Sequence, residues 1–259
     1  MQPIQASALG VVAIMLAGCQ SMESRPVEPY AMVTLAEEKY FVAPGCQGEQ
    51  CDDVRVSSLE FPKSEALTRE LRARLVALAG LDGGDEGAGA RRVTWERFAN
   101  DFFAQARESG MSSPQAGASS AVLEADVVSR HDDLLVLELN SYTYFSGQAH
   151  GLPATRYLVI DEREARIVEP GEMITPGREG DFQAALREAH QRWSRESDRE
   201  ADFAANWPFT PSDNIAPMEE GWQVKYDVYD IAPYAEGQPV LTIPRQALSG
   251  IAKPRFVAR

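Results

Sequence analysis

His150 is the residue whose type and setting best suit chemistry. It lies in Tyr142-Thr143-Tyr144-Phe145-Ser146-Gly147-Gln148-Ala149-His150-Gly151, a small-residue turn after an alternating segment. An imidazole titrates near neutrality, and such turns often carry ligand or acid–base residues. Its surroundings offer little else. The chain holds no Gly-x-Ser-x-Gly elbow and no His-Glu-x-x-His pair. The other two histidines, His131 and His190, stand at no useful metal-ligand spacing. Asp161 and Asp227 are candidate acidic partners that spacing alone does not bring to the ring. Among 39 Asp and Glu residues, no pair is singled out for glycoside hydrolysis. A structural imidazole bonded to backbone is therefore the simpler expectation, and no catalytic residue is assigned. A wall hydrolase or deacetylase using His150 is the alternative.

The cysteines divide by position. Residues 1–22 carry no charge, and residues 6–17 form an apolar run too short to span a bilayer. Leu16-Ala17-Gly18-Cys19 closes that run as a lipobox, although no Lys or Arg precedes it. The expectation is cleavage before Cys19 and acylation of that residue, leaving a bacterial lipoprotein held in the bilayer by its acyl chains. Gln20 rather than Asp after the lipid cysteine favours the outer membrane, with the protein facing the periplasm. Cys46 and Cys51 remain, in Gly45-Cys46-Gln47-Gly48-Glu49-Gln50-Cys51. An even remainder in an oxidising compartment reads as a disulfide, and a metal site would need further ligands nearby.

A second distinctive stretch is Tyr226-Asp227-Val228-Tyr229-Asp230-Ile231-Ala232-Pro233-Tyr234-Ala235-Glu236-Gly237. Pro233 holds Ala232 extended, so the strand entering this stretch is expected to run to Ala232. Tyr229, Tyr234 and Glu236 then serve as binding candidates beside His150: aromatic rings next to a carboxylate suit a sugar or a cationic protein surface. The formal charge of −14 argues against nucleic acid and favours cationic partners at low salt. The acidic loop over residues 80–90 has neither a P-loop lysine nor an EF-hand spacing, and no cofactor is expected.

The elements that must position these residues follow from periodicity. Residues 1–18 read as the signal peptide and 19–38 as a Pro- and Ser-containing tether. Strands are expected over 39–42 and 54–61. Ser64 then caps a helix whose stripe is Leu67, Leu71, Leu75 and Leu78. Thr94 caps a second helix with Trp95, Phe98, Phe102 and Ala106 on one face. Strands over 121–129 and 134–145 form a hairpin at His131-Asp132-Asp133, and 157–160 pairs with 166–168. A third helix carries Phe182, Leu186, Ala189 and Trp193. Trp222, Val224, Tyr226 and Val228 alternate as a half-buried strand, 240–243 closes the sheet, and Pro244 opens a short helix to Leu248. The class is α+β, with antiparallel sheets packed by a few amphipathic helices in two coupled subdomains.

Three segments carry a resemblance: Phe145-Ser146-Gly147-Gln148-Ala149-His150-Gly151, Trp207-Pro208-Phe209-Thr210-Pro211-Ser212-Asp213-Asn214 and Tyr229-Asp230-Ile231-Ala232-Pro233-Tyr234-Ala235-Glu236-Gly237. They resemble the domain of unknown function at the C-terminus of the anti-sigma factor RsiV, and Ile243-Pro244 resembles that family's Ile-Pro before a final helix. Gln148 stands where the family has a second glycine. The upstream part is similar to the partner domain that usually precedes it, which also occurs beside peptidoglycan deacetylases. The resemblance implies an N-terminal α+β domain over 39–145 and an RsiV-like domain over 146–259. It also implies an extracytoplasmic, non-enzymatic module whose ligand is lysozyme or another cationic wall hydrolase. Direct binding of peptidoglycan fragments is the alternative. No anti-sigma segment is present, so sigma-factor control does not follow.

Overall fold

The structure is a computed structural model that describes residues 30–47, 50–80, 93–110, 117–196 and 203–257. Cys19, the signal peptide and the acidic loop from residue 81 lie outside the described residues. No helix among the described residues is long and apolar enough to cross a membrane.

The fold is mixed α+β, built on a six-stranded sheet in the order β1 (Leu35–Val42), β2 (Asp53–Glu60), β3 (Ser120–His131), β4 (Leu134–Tyr144), β5 (Leu152–Asp161) and β6 (Arg166–Val168). A three-stranded antiparallel sheet follows: β7 (Ile215–Met218), β8 (Gly221–Lys225) and β9 (Val240–Pro244). β1 starts inside the segment read as tether. The larger sheet is not wholly antiparallel, because β2 and β3 run parallel. Antiparallel neighbours need only a turn, whereas this pair is separated by α1 (Glu65–Leu78) and α2 (Trp95–Gly110), which cross over one face. Residues 145 and 146, where the two expected domains meet, lie in the turn between β4 and β5, and these strands pair along ten residue positions.

Alternation along the strands sorts side chains to two cores. Leu135, Leu137 and Leu139 of β4, with Leu158 and Ile160 of β5, pack under α1 and α2. Leu67, Leu71 and Leu75 supply the α1 stripe, and Trp95, Phe98 and Phe102 that of α2. The opposite parity, Leu134 and Val159, joins a second core with Phe182, Leu186 and Ala189 of α3 (Glu179–Glu196) and Trp222, Val224, Leu241 and Ile243 of the small sheet. The start of β4 is thus buried on both faces, which is why it reads Leu-Leu-Val-Leu rather than alternating. Trp222 also donates its indole N–H to the Phe256 carbonyl at 2.7 Å, which fixes the C-terminal turn.

Two caps and one bridge behave as their residue types demand. The Ser64 hydroxyl accepts from the Leu67 N–H, and Thr94 accepts from Arg97. Cys46 and Cys51 are disulfide-bonded across the β1–β2 connection. Asp132 takes the left-handed conformation (φ 54°) that closes the β3–β4 hairpin.

At that hairpin end an ionic network holds the first and last described segments, around Met32 and Arg255. Arg255 lies 2.7 Å from Asp161 and 3.1 Å from Asp133, Arg163 holds Asp133, and Arg130 holds Glu162. Glu162 also accepts from the Met32 N–H, and the Arg163 guanidinium sits over the Tyr30 ring. Burial pushes the Asp161 carboxyl up. Hydrogen bonds from Arg255 and from the Glu164 and Arg163 amides outweigh that and hold it below the usual carboxylate range. Removing Arg255 leaves the buried Asp161 carboxylate without its cation and Asp133 with Arg163 alone, but Arg255 itself is partly solvated, so Arg255→Ala is expected to cost about 2 kcal/mol. A depressed carboxyl stabilises the fold above its unfolded pKa and loses that contribution as pH falls through the folded value. The gap between wild type and Arg255→Ala in urea unfolding should therefore be full at pH 7 and close below about pH 4.

Candidate functional site

The turn after β4 and the turn after β8 meet, and this contact assembles the aromatic candidates. Gly147 turns the chain at φ 90°, bringing His150 back beside the end of β4. Its ring stacks on Tyr234 with centroids 3.8 Å apart and planes 24° from parallel. Nδ1 lies 3.1 Å from the Gly151 carbonyl, which also accepts from the Tyr234 hydroxyl at 3.0 Å. Nε2 lies 3.2 Å from the Tyr229 hydroxyl. Both ring nitrogens are engaged, so the imidazole serves to hold two tyrosines. Neither Asp161 nor Asp227 is among its partners: the first belongs to the Arg255 network, and the second is bonded elsewhere in the site.

Gly151 is present for a steric reason. A Cβ there would lie 2.3 Å from the Tyr142 ring, so a side chain at this position would require that ring to swing aside. Tyr142 thereby joins the rim of the cluster.

β8 ends at Lys225, not at Ala232 as the alternation suggests. Asp227 stops it. The Asp227 carboxylate accepts from the Thr155 N–H at 2.8 Å, from Arg156 at 2.7 Å and from Gln238 at 3.1 Å, tying the chain to the edge of β5. The Asp230 carboxylate accepts from the Asp227 N–H, and the Asp230 N–H bonds back to the Asp227 carbonyl. Burial pushes the Asp230 carboxyl up, and the nearby Asp227 charge adds to this against the Asp227 amide and Arg156. Inside this loop Tyr229 has φ 72°, a conformation that costs a non-glycine residue roughly 1 kcal/mol or more. Its ring is nonetheless 48% exposed. Pro233 then leads into a single 3₁₀ turn, Tyr234–Glu236, which places Glu236 at the surface and ends at Gly237 with φ 69°.

Beneath the cluster a polar seam joins the two sheets. The Asn214 amide donates to the carbonyls of Thr155 and Lys225, and its oxygen accepts from the Tyr157 N–H at 2.7 Å. Lys225 reaches Glu138 at 2.9 Å, and the Thr155 hydroxyl bonds Asn140 and Gln238. This seam holds the β8–β9 turn, and with it Tyr229, over the β4–β5 edge.

The structure thus brings His150, Tyr229 and Tyr234 together, with Glu236 two residues beyond Tyr234 in the same turn. Cys46 and Cys51 belong to the β1–β2 connection instead. Sequence reasoning missed Tyr142, Asn214 and the Asp227 anchor. A glycine directly after His150 was the visible signal for the first; the buried partners of the other two leave no periodic trace.

Comparisons place the chain among known proteins. Residues 172–246 match the family described as "Protein of unknown function (DUF3298)". A DUF3298 family protein from Pseudomonas aeruginosa PAO1 is 30% identical with a TM-score of 0.71, over 88% of this chain and 98% of the other. A second DUF3298 member, from Bacteroides fragilis NCTC 9343, shares the fold at 18% identity and TM-score 0.63, over 87% and 96% of the two chains. None of the curated proteins matches this sequence. Identity of 30% over 98% of the Pseudomonas chain makes this chain a member of the DUF3298 family.

Proposed function

We propose that this protein is a non-enzymatic, RsiV-like binding module of the bacterial envelope. It is anchored by acylated Cys19 in the outer membrane and captures a lysozyme-like cationic wall hydrolase. The observation that carries this reading is Tyr229: a half-exposed aromatic ring held in a strained backbone conformation and clasped by His150 and Tyr234. Strain of this kind persists where the surroundings over-determine it, and a preset aromatic anchor suits protein recognition. The charge of −14 favours a basic partner through faster encounter. The clamp on Tyr30 and Met32 also supports it. The chain enters at the hairpin end of β4, and the His150 turn lies at the other end, about 35 Å away along 11 residues. The aromatic cluster is thus at the end of β4 remote from Tyr30.

The stacked pair of His150 and Tyr234 favours a second reading, a peptidoglycan fragment lying on the rings. Salt separates the two. Calorimetric titration of the full chain in detergent with lysozyme is expected to give saturable 1:1 binding that weakens as salt rises. Tyr229→Ala is expected to weaken it roughly 30-fold, about 2 kcal/mol. Absence of lysozyme binding at low salt, together with salt-insensitive binding of muropeptides, would replace the first reading by the second.

A further inference from the structure

The three-stranded sheet covers only part of the larger sheet's second face. Residues directly opposite one another share a face. Register therefore places Tyr40, Arg55, Val122 and Tyr142 in one row across β1, β2, β3 and β4. Tyr40 is 63% exposed and Tyr142 is 38% exposed, so this row is a surface of rings rather than a core. Arg55 is neutralised by Asp53 at 2.8 Å and lies over the Tyr40 ring.

The adjoining positions on the same face are acidic. Glu38 and Glu124 stand in the next row on either side of Ser57, and Asp126 follows Glu124 along β3. All three carboxylates are exposed. Where β3 bulges between Val127 and Ser129, the β7–β8 turn rises beside it and encloses a cleft of about 430 Å³. Glu219 and Glu220 stand on that wall, with Val128 and Ser129 on the floor. The open sheet face and this cleft adjoin along β3, where Asp126 is followed by Val128, and together they form an acidic groove whose sheet side bears the rings.

We propose that this groove docks a basic protein, presenting a row of Lys or Arg to the carboxylates while apolar groups cover Tyr40 and Tyr142. Charge complementarity names the occupant. Among the described residues, the five carboxylates lie outside the ion pairs, whereas the nearby cation Arg55 is already paired. Tyr142 links the groove to the His150 cluster through its contact with Gly151, so a single partner spans both. This inference rests on the reading of the protein as a receptor for a cationic ligand, and it assigns that ligand a second contact.

The test is calorimetry on the full chain in detergent with two basic probes: lysozyme and cytochrome c, which is basic but not a wall enzyme. The proteins are wild type, the triple variant Glu38→Gln/Glu124→Gln/Asp126→Asn, and Tyr229→Ala. The triple variant is expected to bind lysozyme at least tenfold more weakly at low salt, with a flattened salt dependence. Its three sites are exposed, so folding should be unchanged by circular dichroism. Unchanged affinity and salt dependence in the triple variant would overturn the groove, while loss in Tyr229→Ala alone would still support the loop cluster. If only cytochrome c binds and the triple variant abolishes it, the groove stands and the wall-hydrolase reading fails. No binding of either probe by wild type overturns both.

Discussion

Gly221→Ala is expected to destabilise the protein by about 4 kcal/mol, a large share of the roughly 5–15 kcal/mol that holds most domains folded. Gly221 opens β8 at φ 147°, in a region that residues with a side chain rarely enter. A Cβ there would lie 2.2 Å from the Ile243 carbonyl oxygen and 2.9 Å from the Arg245 nitrogen. Both obstacles are backbone, so no rotamer change relieves them. The Arg245 N–H is itself bonded to the Glu220 carbonyl, and Gly221 pairs with Pro244 in the β8–β9 ladder. Relief therefore means prising β9 from β8, next to buried Trp222 and Ile243. Urea unfolding should show a lower midpoint. An unfolding free energy within about 1 kcal/mol of wild type would mean that β9 shifts at little cost and is not locked by this contact.

Asn214→Ala is expected to cost about 3 kcal/mol and to weaken any ligand that uses Tyr229. One buried amide stands between two sheets whose backbones do not pair with each other. It satisfies the Tyr157 N–H of β5 and the carbonyls of Thr155 and Lys225. Alanine leaves the Tyr157 N–H and the Lys225 carbonyl to find water in a seam that excludes it, each at about 1–3 kcal/mol if unmet, while the Thr155 carbonyl keeps its bond from Arg156. Water entering the gap would recover part of this, which is why the expected loss is below the sum. The consequence for binding follows from position. Lys225 is two residues from Asp227, so loosening its carbonyl loosens the turn that displays Tyr229. Asn214→Asp separates shape from hydrogen bonding: it retains the acceptor for Tyr157 but loses both donations, and should fall at least as far as alanine at pH 7. Equal stability of Asn214→Asp and wild type would remove the bridging role.

The membership of the DUF3298 family and the mixed α+β class agree with the motifs quoted around Tyr229 to Gly237. Local signals carried much of the rest. Leu67, Leu71 and Leu75 recur at helical spacing because one face of α1 is buried, and that face is what the pattern records. Asp132 and Asp133 mark a hairpin because a tight turn needs a residue tolerant of positive φ. The pairing of Cys46 with Cys51 followed from an even remainder of two. By contrast, β7 (Ile215-Ala216-Pro217-Met218) has no alternation and contains proline, so nothing local marks it as a strand. The alternation from Trp222 to Val228 suggested a longer strand than forms. It breaks at Asp227 because three partners on β5 and β9's approach capture that carboxylate, a choice no neighbour in sequence dictates.

What the sequence determined by itself is therefore the material with a local cause: caps, stripes, the hairpin, the short disulfide loop, and the motif that places Tyr234 and Glu236 after Pro233. Only the tertiary structure decided that β2 and β3 run parallel, that His150 meets Tyr229 across 79 residues of chain, and that Tyr40 and Tyr142 share one open face. The reason is physical. Periodicity reports which side of an element is buried, and it is written within a few residues. Which element does the burying depends on contacts between distant segments, and these are fixed by strand register, by sterics such as the bare backbone at Gly221, and by the few buried polar groups that must find partners.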